Sequence, residues 1–446
     1  MKKIILFVLF SLSIQNGIGQ NYYMATPQGF GANVTGGGNA TPVTVSTYTA
    51  FKNALLSTST TNAVILVSGT IDCTYTSVQL NNKTIIGLPG AKLRNIQIIV
   101  GNSATSAANS GILNIKPNSN NVIIRNLIFE GPGAYDVDGR DNLTNEGTNI
   151  WVDHCEFQDG MDGNFDNKGS ADNVTISWCK FTYLKAPISG GSGGSNDHRF
   201  TNLVGSSSSD APSDGNYSIT FQNCYWASGC KERMPRARNA ELHLVSCYYN
   251  TAVSNAKALG LGGGANNTTC YVENTDFTNI SNVYTNYSGD GGTVSLVFNN
   301  CLNGVSNVGT VSAPSYSTTP IPVNEVEGLL TDTTCGAGAT LQVTGAGVVT
   351  PNDCASLYTA SNDNQPFQFY TSMAEKTINI HFSIAISNNV SVDVYTLNGQ
   401  KIISHSDKRL NANETLKIGI ENLSNGTYIC HIKFNDTMEL IKFIKN

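Results

Sequence analysis

Ile150-Trp-Val-Asp-His-Cys155-Glu-Phe157, Val174-Thr-Ile-Ser-Trp-Cys179-Lys-Phe181, Ile219-Thr-Phe-Gln-Asn-Cys224-Tyr-Trp226 and Leu242-His-Leu-Val-Ser-Cys247-Tyr-Tyr249 share one pattern: a β-rich run, a cysteine, one residue, then an aromatic ring. Cys155 and Cys179 stand 24 residues apart, Cys224 and Cys247 stand 23 apart, and the wider interval between the pairs holds a Gly/Ser-rich insertion. Cys301, after Val294-Ser-Leu-Val-Phe-Asn-Asn, extends the series, and Asn126, within Val122-Ile-Ile-Arg-Asn126-Leu-Ile-Phe129, is expected to fill the cysteine's place one repeat earlier. A β-rich repeat of this length is one coil of a parallel β-helix, in which equivalent residues of successive coils stack. The cysteines then read as a buried ladder of small side chains. A metal–thiolate site fits less well because the CxxC spacing is absent; separate disulfides remain an alternative.

Outward from these coils the organisation changes twice. Residues 21–121 read as the opening of the solenoid, with Thr49-Ala-Phe-Lys-Asn-Ala-Leu-Leu56 as a capping helix and Val64–Val67, Lys83–Ile86 and Ile96–Val100 as strands. Gly190–Gly194 and Gly205–Asp210 read as loops over one face. Residues 305–365 lose the repeat and become rich in Thr, Ser, Pro and Gly. From about Thr377 a new alternation begins, with Val390–Tyr395, a turn at Asn398-Gly399, Lys417–Ile420, Gly426–Lys433 and Leu440–Ile444, which predicts a small antiparallel β-sandwich. The expected division is a signal peptide over 1–19, the solenoid over 20–335, a linker over 336–366 and a C-terminal domain over 367–446.

Composition suits an exported all-β protein. Of 446 residues only 13% are charged, and 43 are glycine. A net charge of −6 gives nucleic acid no general attraction. Lys2 and Lys3, the apolar run from Ile4 to Ile14, and Gly17 and Gly19 before Gln20 have the layout of a cleaved secretory signal, too short to span a bilayer. The 11 cysteines are an odd number, so one thiol at least lacks an intrachain partner. Cys335 and Cys354, flanking a Gly-rich stretch, are the pair expected to be bonded.

Two segments carry chemistry. Cys230-Lys-Glu-Arg233-Met-Pro235-Arg236-Ala-Arg238 sets three guanidinium groups around a proline, and Asp162-Gly-Asn-Phe-Asp166 sets two carboxylates four residues apart beside a glycine. Together they suit a cation and an acidic polymer. With Asn149-Ile-Trp-Val-Asp-His154 before them, and Val174–Trp178 and Asp197-His-Arg-Phe-Thr-Asn-Leu-Val-Gly205 between them, these motifs appear in an order that resembles the pectate lyase family; the match is best over about 122–280. The segment Val394-Tyr-Thr-Leu-Asn-Gly399 through Gly426-Thr-Tyr428 resembles the type IX secretion sorting domain.

The first resemblance implies a right-handed parallel β-helix that cleaves polygalacturonate by β-elimination, taking the C5 proton of one sugar and expelling the C4 oxygen. A proton beside a carboxylate is hard to remove, and the implied remedy is Ca²⁺, a hard cation for oxygen ligands, between protein and substrate carboxylates. Asp162 and Asp166 fall on the family's calcium positions. Asp141 is the candidate third ligand, chosen among Asp136, Asp138 and Asp141. Arg233 falls on the proton acceptor, and Arg238 on an arginine that would hold a substrate carboxylate. Arg236, one residue off, is expected to face away. The family's substrate lysine has no direct counterpart; Arg199 and Lys185 are its candidates. His154 is expected to brace the solenoid.

The implied partners are polygalacturonate and, through the C-terminal domain, a secretion machinery, with the chain acting as a monomer. Three other readings compete. A pectin lyase acting on methyl-esterified polymer would lack Asp162 and Asp166. A β-helix hydrolase would carry a Gly-His-Gly motif that is absent, and a glycan-binding adhesin would not need Arg233. For the C-terminal domain, a carbohydrate-binding module would need an exposed aromatic platform; the region offers Tyr395 and Tyr428 but no Trp.

Overall fold

The computed structural model describes residues 22–57, 61–352, 367–372, 376–382, 384–387, 389–396, 399–407, 409–434 and 437–445. They fall in two compact units, one spanning Tyr22–Cys354 and the other holding the described residues from Phe367 onward. The signal segment over 1–19, Cys354 and Asn398 lie outside the described residues.

The first unit is a right-handed parallel β-helix built from three sheets, one of 10 strands and two of 8, in which each strand pairs with its counterpart in the next coil. In one coil the chain runs through Thr148–Asp153 in the long sheet, Glu156–Gln158 in a second sheet and Phe165–Asn167 in a third. The turn between the first two sheets is sharp, and one residue in the left-handed region makes it: Asn126, His154, Trp178, Asn223, Ser246, Asn274 and Asn300, with φ of 56°, 46°, 49°, 56°, 51°, 47° and 51°. Asparagine suits this conformation better than most residues, which accounts for four of the seven.

Register corrects one expectation. Asp153 pairs with Arg125 and Glu156 with Ile128, so Asn126 aligns with His154 at the turn, and Leu127 occupies the place of Cys155. The ladder therefore runs Leu127, Cys155, Cys179, Cys224, Cys247, Thr275 and Cys301. The four central cysteines are fully buried and not disulfide-bonded. Each points at a carbonyl of the preceding coil, as Cys179 does at Val152 O, 3.6 Å away. Two residues on, the aromatic rings Phe129, Phe157, Phe181, Trp226, Tyr249 and Phe277 stack at centroid spacings of 4.6–5.5 Å. Coil spacing is set by the backbone ladder near 4.8 Å, so equivalent rings necessarily meet face to face. Each such pair adds about 0.5–1.5 kcal/mol beyond area burial.

The open end is capped by a helix, Tyr48–Ser57, whose Phe51 and Leu55 enter the core. Ile96–Val100 is not a strand: it lies in a loop that leaves Ile96, Ile99 and Val100 exposed. The outer face of the long sheet is also covered. Met24, Val34, Ile321, Val326 and Leu330 bury Ile123, Trp151 and Trp178. Inside this layer Asp153 takes Arg125 at 2.7 Å and His154 at 2.9 Å, and His154 stacks on Trp178. His154 is thus a brace. Burial works against the Asp153 charge, but His154 and Arg125 outweigh it and hold the carboxyl below its usual range.

The expected linker begins as packed structure. Ala337, Leu341 and Val343 are buried, and Leu341 N donates to Asn126 Oδ1 at 2.8 Å. Cys335 is disulfide-bonded; its expected partner is Cys354. The second unit is an antiparallel sandwich of a three-stranded and a four-stranded sheet. Alternate residues Ile378, Ile380, Val390, Val392, Val394, Cys430 and Ile432 fill its core. Tyr428 is buried against Phe443 and offers no open platform.

Candidate active site

The third sheet of the solenoid carries the chemistry. Its strands include Leu113–Ile115, Leu143–Asn145, Phe165–Asn167, Leu203–Val204, Arg236–Ala237 and Lys257–Leu261. Alternation sends Leu143, Phe165, Val204 and Ala237 into the core. It turns the neighbouring residues outward as one row across the coils: Asn114, Thr144, Asp166, Leu203, Arg236 and Gly260.

Asp166 is fixed in that row by Leu203 N, which donates to its Oδ1 at 2.9 Å. Asp141, just before its strand, accepts from Thr144 Oγ1 at 2.8 Å through Oδ2. Its other oxygen is buried with no hydrogen-bond partner among the described residues. The two carboxylates converge on Gly163. A Cβ there would lie 2.7 Å from Asp141 Oδ1 and 3.1 Å from Asp166 Oδ1. Burial, followed by the charge of Asp162, pushes Asp141 up to about 6. Burial, followed by Asp141, pushes Asp166 well above the usual carboxylate range. Asp141, the expected candidate among the three nearby aspartates, is brought beside Asp166, whereas Asp136 turns to His198 and Ser195 N.

Asp162 is held differently. His198, buried, sits 2.8 Å from Asp162 Oδ1 through Nε2 and 3.2 Å from Asp136 Oδ1 through Nδ1. Among the described residues no three His, Cys, Asp or Glu side chains surround one point closely enough to hold an ion as they stand, because Asp162 is drawn to His198. The donor set nonetheless suits a hard divalent cation. Two buried carboxylates with raised pKa, an orphaned carboxylate oxygen and a glycine that leaves the space clear all call for positive charge.

Arg233 stands across from them, half-buried, with its guanidinium carbon 4.6 Å above the Phe200 ring. Its guanidinium makes no hydrogen bond or ion pair to protein among the described residues, and it feels the carboxylates of Asp141 and Asp166. Its backbone is tied down: φ is 60°, and Arg233 O accepts from Asn202 N at 2.6 Å and from Thr201 Oγ1.

Arg238 lies beside Arg236, not alone. Arg236 pairs with Asp290 and lies 3.9 Å over Tyr287, and Arg238 Nε is 3.2 Å from the other Asp290 oxygen. The expectation that Arg236 faces away is therefore wrong. The strand here is only Arg236–Ala237, and residues two apart share a side. Arg199 and Lys185 line a neighbouring cleft. Arg199 grips Asp197 at 2.6 and 2.7 Å, and Lys185 donates to Gly131 O at 2.7 Å.

Sequence reasoning missed Lys168, Phe200 and Asp290. Burial opposes the Lys168 charge, but Asp141 and Asp166 outweigh it and raise its pKa. Phe200 lay inside a motif already noted, whereas Asp290 had no local signal.

A pectate lyase profile matches residues 18–321, more than half of the chain. The chain belongs to the pectate lyase family. A secretion system C-terminal sorting domain profile matches residues 373–446, and this pectate lyase family member is a secreted or cell-surface protein. It is 35% identical over 199 residues to a pectate trisaccharide-lyase of Thermotoga maritima, covering 42% of this chain and 45% of that one. It is 28% identical over 296 residues to a pectate trisaccharide-lyase of Bacillus licheniformis, covering 64% and 76%. The chain spans less than half the length of the Thermotoga relatives it matches. Among solved structures it resembles a polygalacturonate lyase fused with a self-assembling amphipathic peptide, with TM-score 0.54 at 21% identity over 72% of this chain and 99% of that one. It also resembles a pectate lyase bound to a hexasaccharide, with TM-score 0.53 at 21% identity over 70% and 96%. At such identity the likeness concerns the fold.

Proposed function

We propose that this protein is a secreted, calcium-dependent pectate lyase that cleaves α-1,4-polygalacturonate by β-elimination to unsaturated oligogalacturonides. The carrying observation is a facing pair of groups: an Arg233 guanidinium that stacks on Phe200 but makes no hydrogen bond or ion pair to protein among the described residues, and the buried carboxylates Asp141 and Asp166 converging on Gly163. The family is generally calcium-dependent. Asp141, Asp166 and Asp162 would hold the ion, which when bound neutralises carboxylate charge and acidifies the proton beside it.

The chain's own residues do the rest. In its neutral form Arg233 takes the C5 proton as the C4–C5 double bond forms and the C4–O bond breaks, water gives the expelled oxygen its proton, and Phe200 and the tied backbone at Asn202 fix where Arg233 stands. A free guanidinium keeps its proton at ordinary pH, so this role is favoured under alkaline conditions. Arg238, steadied by Asp290, orients a substrate carboxylate, and Arg199 and Lys185 bind further along the polymer. Asp162 with Asp166 favours this reading over a pectin lyase. The chain works as a monomer, with a signal peptide over 1–19, the solenoid as the catalytic domain, and the domain from 367 engaging the secretion machinery.

The test is ultraviolet absorbance of the conjugated product on polygalacturonate at alkaline pH, with Ca²⁺ and then with chelator. A rise that chelator abolishes supports the proposal. A rise that chelator leaves intact points to pectin lyase chemistry, and no rise on pectate or esterified pectin points to a glycan-binding protein.

A further inference from the structure

We propose that the cleft containing Lys231 is a metal-independent subsite for the carboxylate of a uronic acid unit away from the bond being cleaved, an inference that rests on the lyase reading. The cleft, about 480 Å³, opens where the connections after Lys180–Thr182, Tyr225–Trp226 and Tyr248–Asn250 turn toward the site sheet. It continues the active site. His198 and Phe200 face Asp162 and Arg233, while Arg199 between them lines the cleft. Lys231 lies on the adjacent coil, its N–H donating to Arg199 O at 2.9 Å.

The charges decide what the cleft takes. Asp197 is the only acid among the lining residues, which include the cations Lys185, Arg199 and Lys231. Arg199 satisfies Asp197 through two short hydrogen bonds, so Lys231 Nζ stays 3.7 Å from it and has one backbone contact, Ser254 O at 3.3 Å. Lys185 is engaged by Gly131 O at 2.7 Å and by Glu130 and Asp159 at 3.5 and 3.8 Å. Arg199 and Lys231 therefore share one carboxylate, and a positive charge with unused donors is left over on a chain of net charge −6. Leu184, 66% exposed, and Val253 add an apolar wall. A uronic acid unit offers the matching set: one carboxylate, hydroxyls and C–H faces. The Asp141, Asp162 and Asp166 cluster repels such a unit unless a cation intervenes; the cleft attracts it directly.

The experiment is calorimetric titration of the full chain with trigalacturonate in chelator. Wild type binds, added salt weakens the binding because screening acts on exposed charges, and the methyl-esterified trimer does not bind. Lys231→Ala weakens binding by about tenfold or more, as expected for loss of a charge-assisted contact, and Lys231→Arg retains it. Equal binding by Lys231→Ala with an unchanged circular dichroism spectrum overturns the inference, as does equal binding of the esterified trimer. So does absence of binding in chelator from an enzyme that forms unsaturated product with Ca²⁺. The reverse result, Lys231-dependent binding without any unsaturated product, overturns the lyase reading and leaves the subsite standing.

Discussion

At the scale of residues, Arg233 and Asp141 make opposite predictions about stability. The Arg233 side chain is half-buried, without a hydrogen bond to protein among the described residues, and stacked on one ring. Arg233→Ala should therefore lower kcat by about 100-fold or more while leaving the melting temperature nearly unchanged. Retained activity in that variant would remove Arg233 from the mechanism. Asp141 is an acid whose folded pKa, about 6, lies above its ordinary value near 3.9. Ionising it costs the folded state stability. That cost is absent below the ordinary value, grows between the two, and is complete above about 6. Metal-free Asp141→Asn should thus melt higher than wild type at alkaline pH, with the difference vanishing in acid. Calcium should reverse the alkaline order by stabilising only the wild type, as thermal melts with and without the ion will show.

At the scale of elements, the turn between Gly160 and Phe165 sets the room between carboxylates. Gly163→Ala would place a methyl 2.7 Å from Asp141 Oδ1, where one of the two must shift. The calcium concentration for half-maximal activity should rise about 10–100-fold, with kcat at saturating calcium less affected. An unchanged calcium requirement would move the ion elsewhere. The cysteine ladder gives a second test. Burial raises the pKa of Cys73, Cys179, Cys224, Cys230 and Cys270, which disfavours the reactive thiolate at these positions. A thiol reagent should find almost none of the nine free cysteines of the described residues in the native protein and all of them in denaturant. Rapid native labelling would contradict the ladder.

At the scale of the whole molecule, the two units have separate hydrophobic cores. A chain ended at about residue 365 should keep its activity on soluble pectate and fail to be exported by its native host. Lost activity would assign the C-terminal domain a part in catalysis.

The sequence by itself determined the coil. A cysteine and an aromatic ring recurring after 23 or 24 residues within each pair of coils follow from the backbone of one turn of solenoid, a local constraint written in local spacing. The order of Asp162, Asp166, Arg233 and Arg238 was legible for the same reason, since each sits at a fixed place within its coil. The sandwich showed through strict alternation. What only the tertiary structure decided lies between coils. Register moved Asn126 to the turn and put Leu127 in the ladder. Packing sent Asp162 to His198, and set Arg236 and Arg238 on one carboxylate, Asp290, 52 residues beyond Arg238 in the chain. Loop lengths differ from coil to coil, so no spacing in the sequence encodes which side chains meet across them; hydrogen bonding between neighbouring strands does.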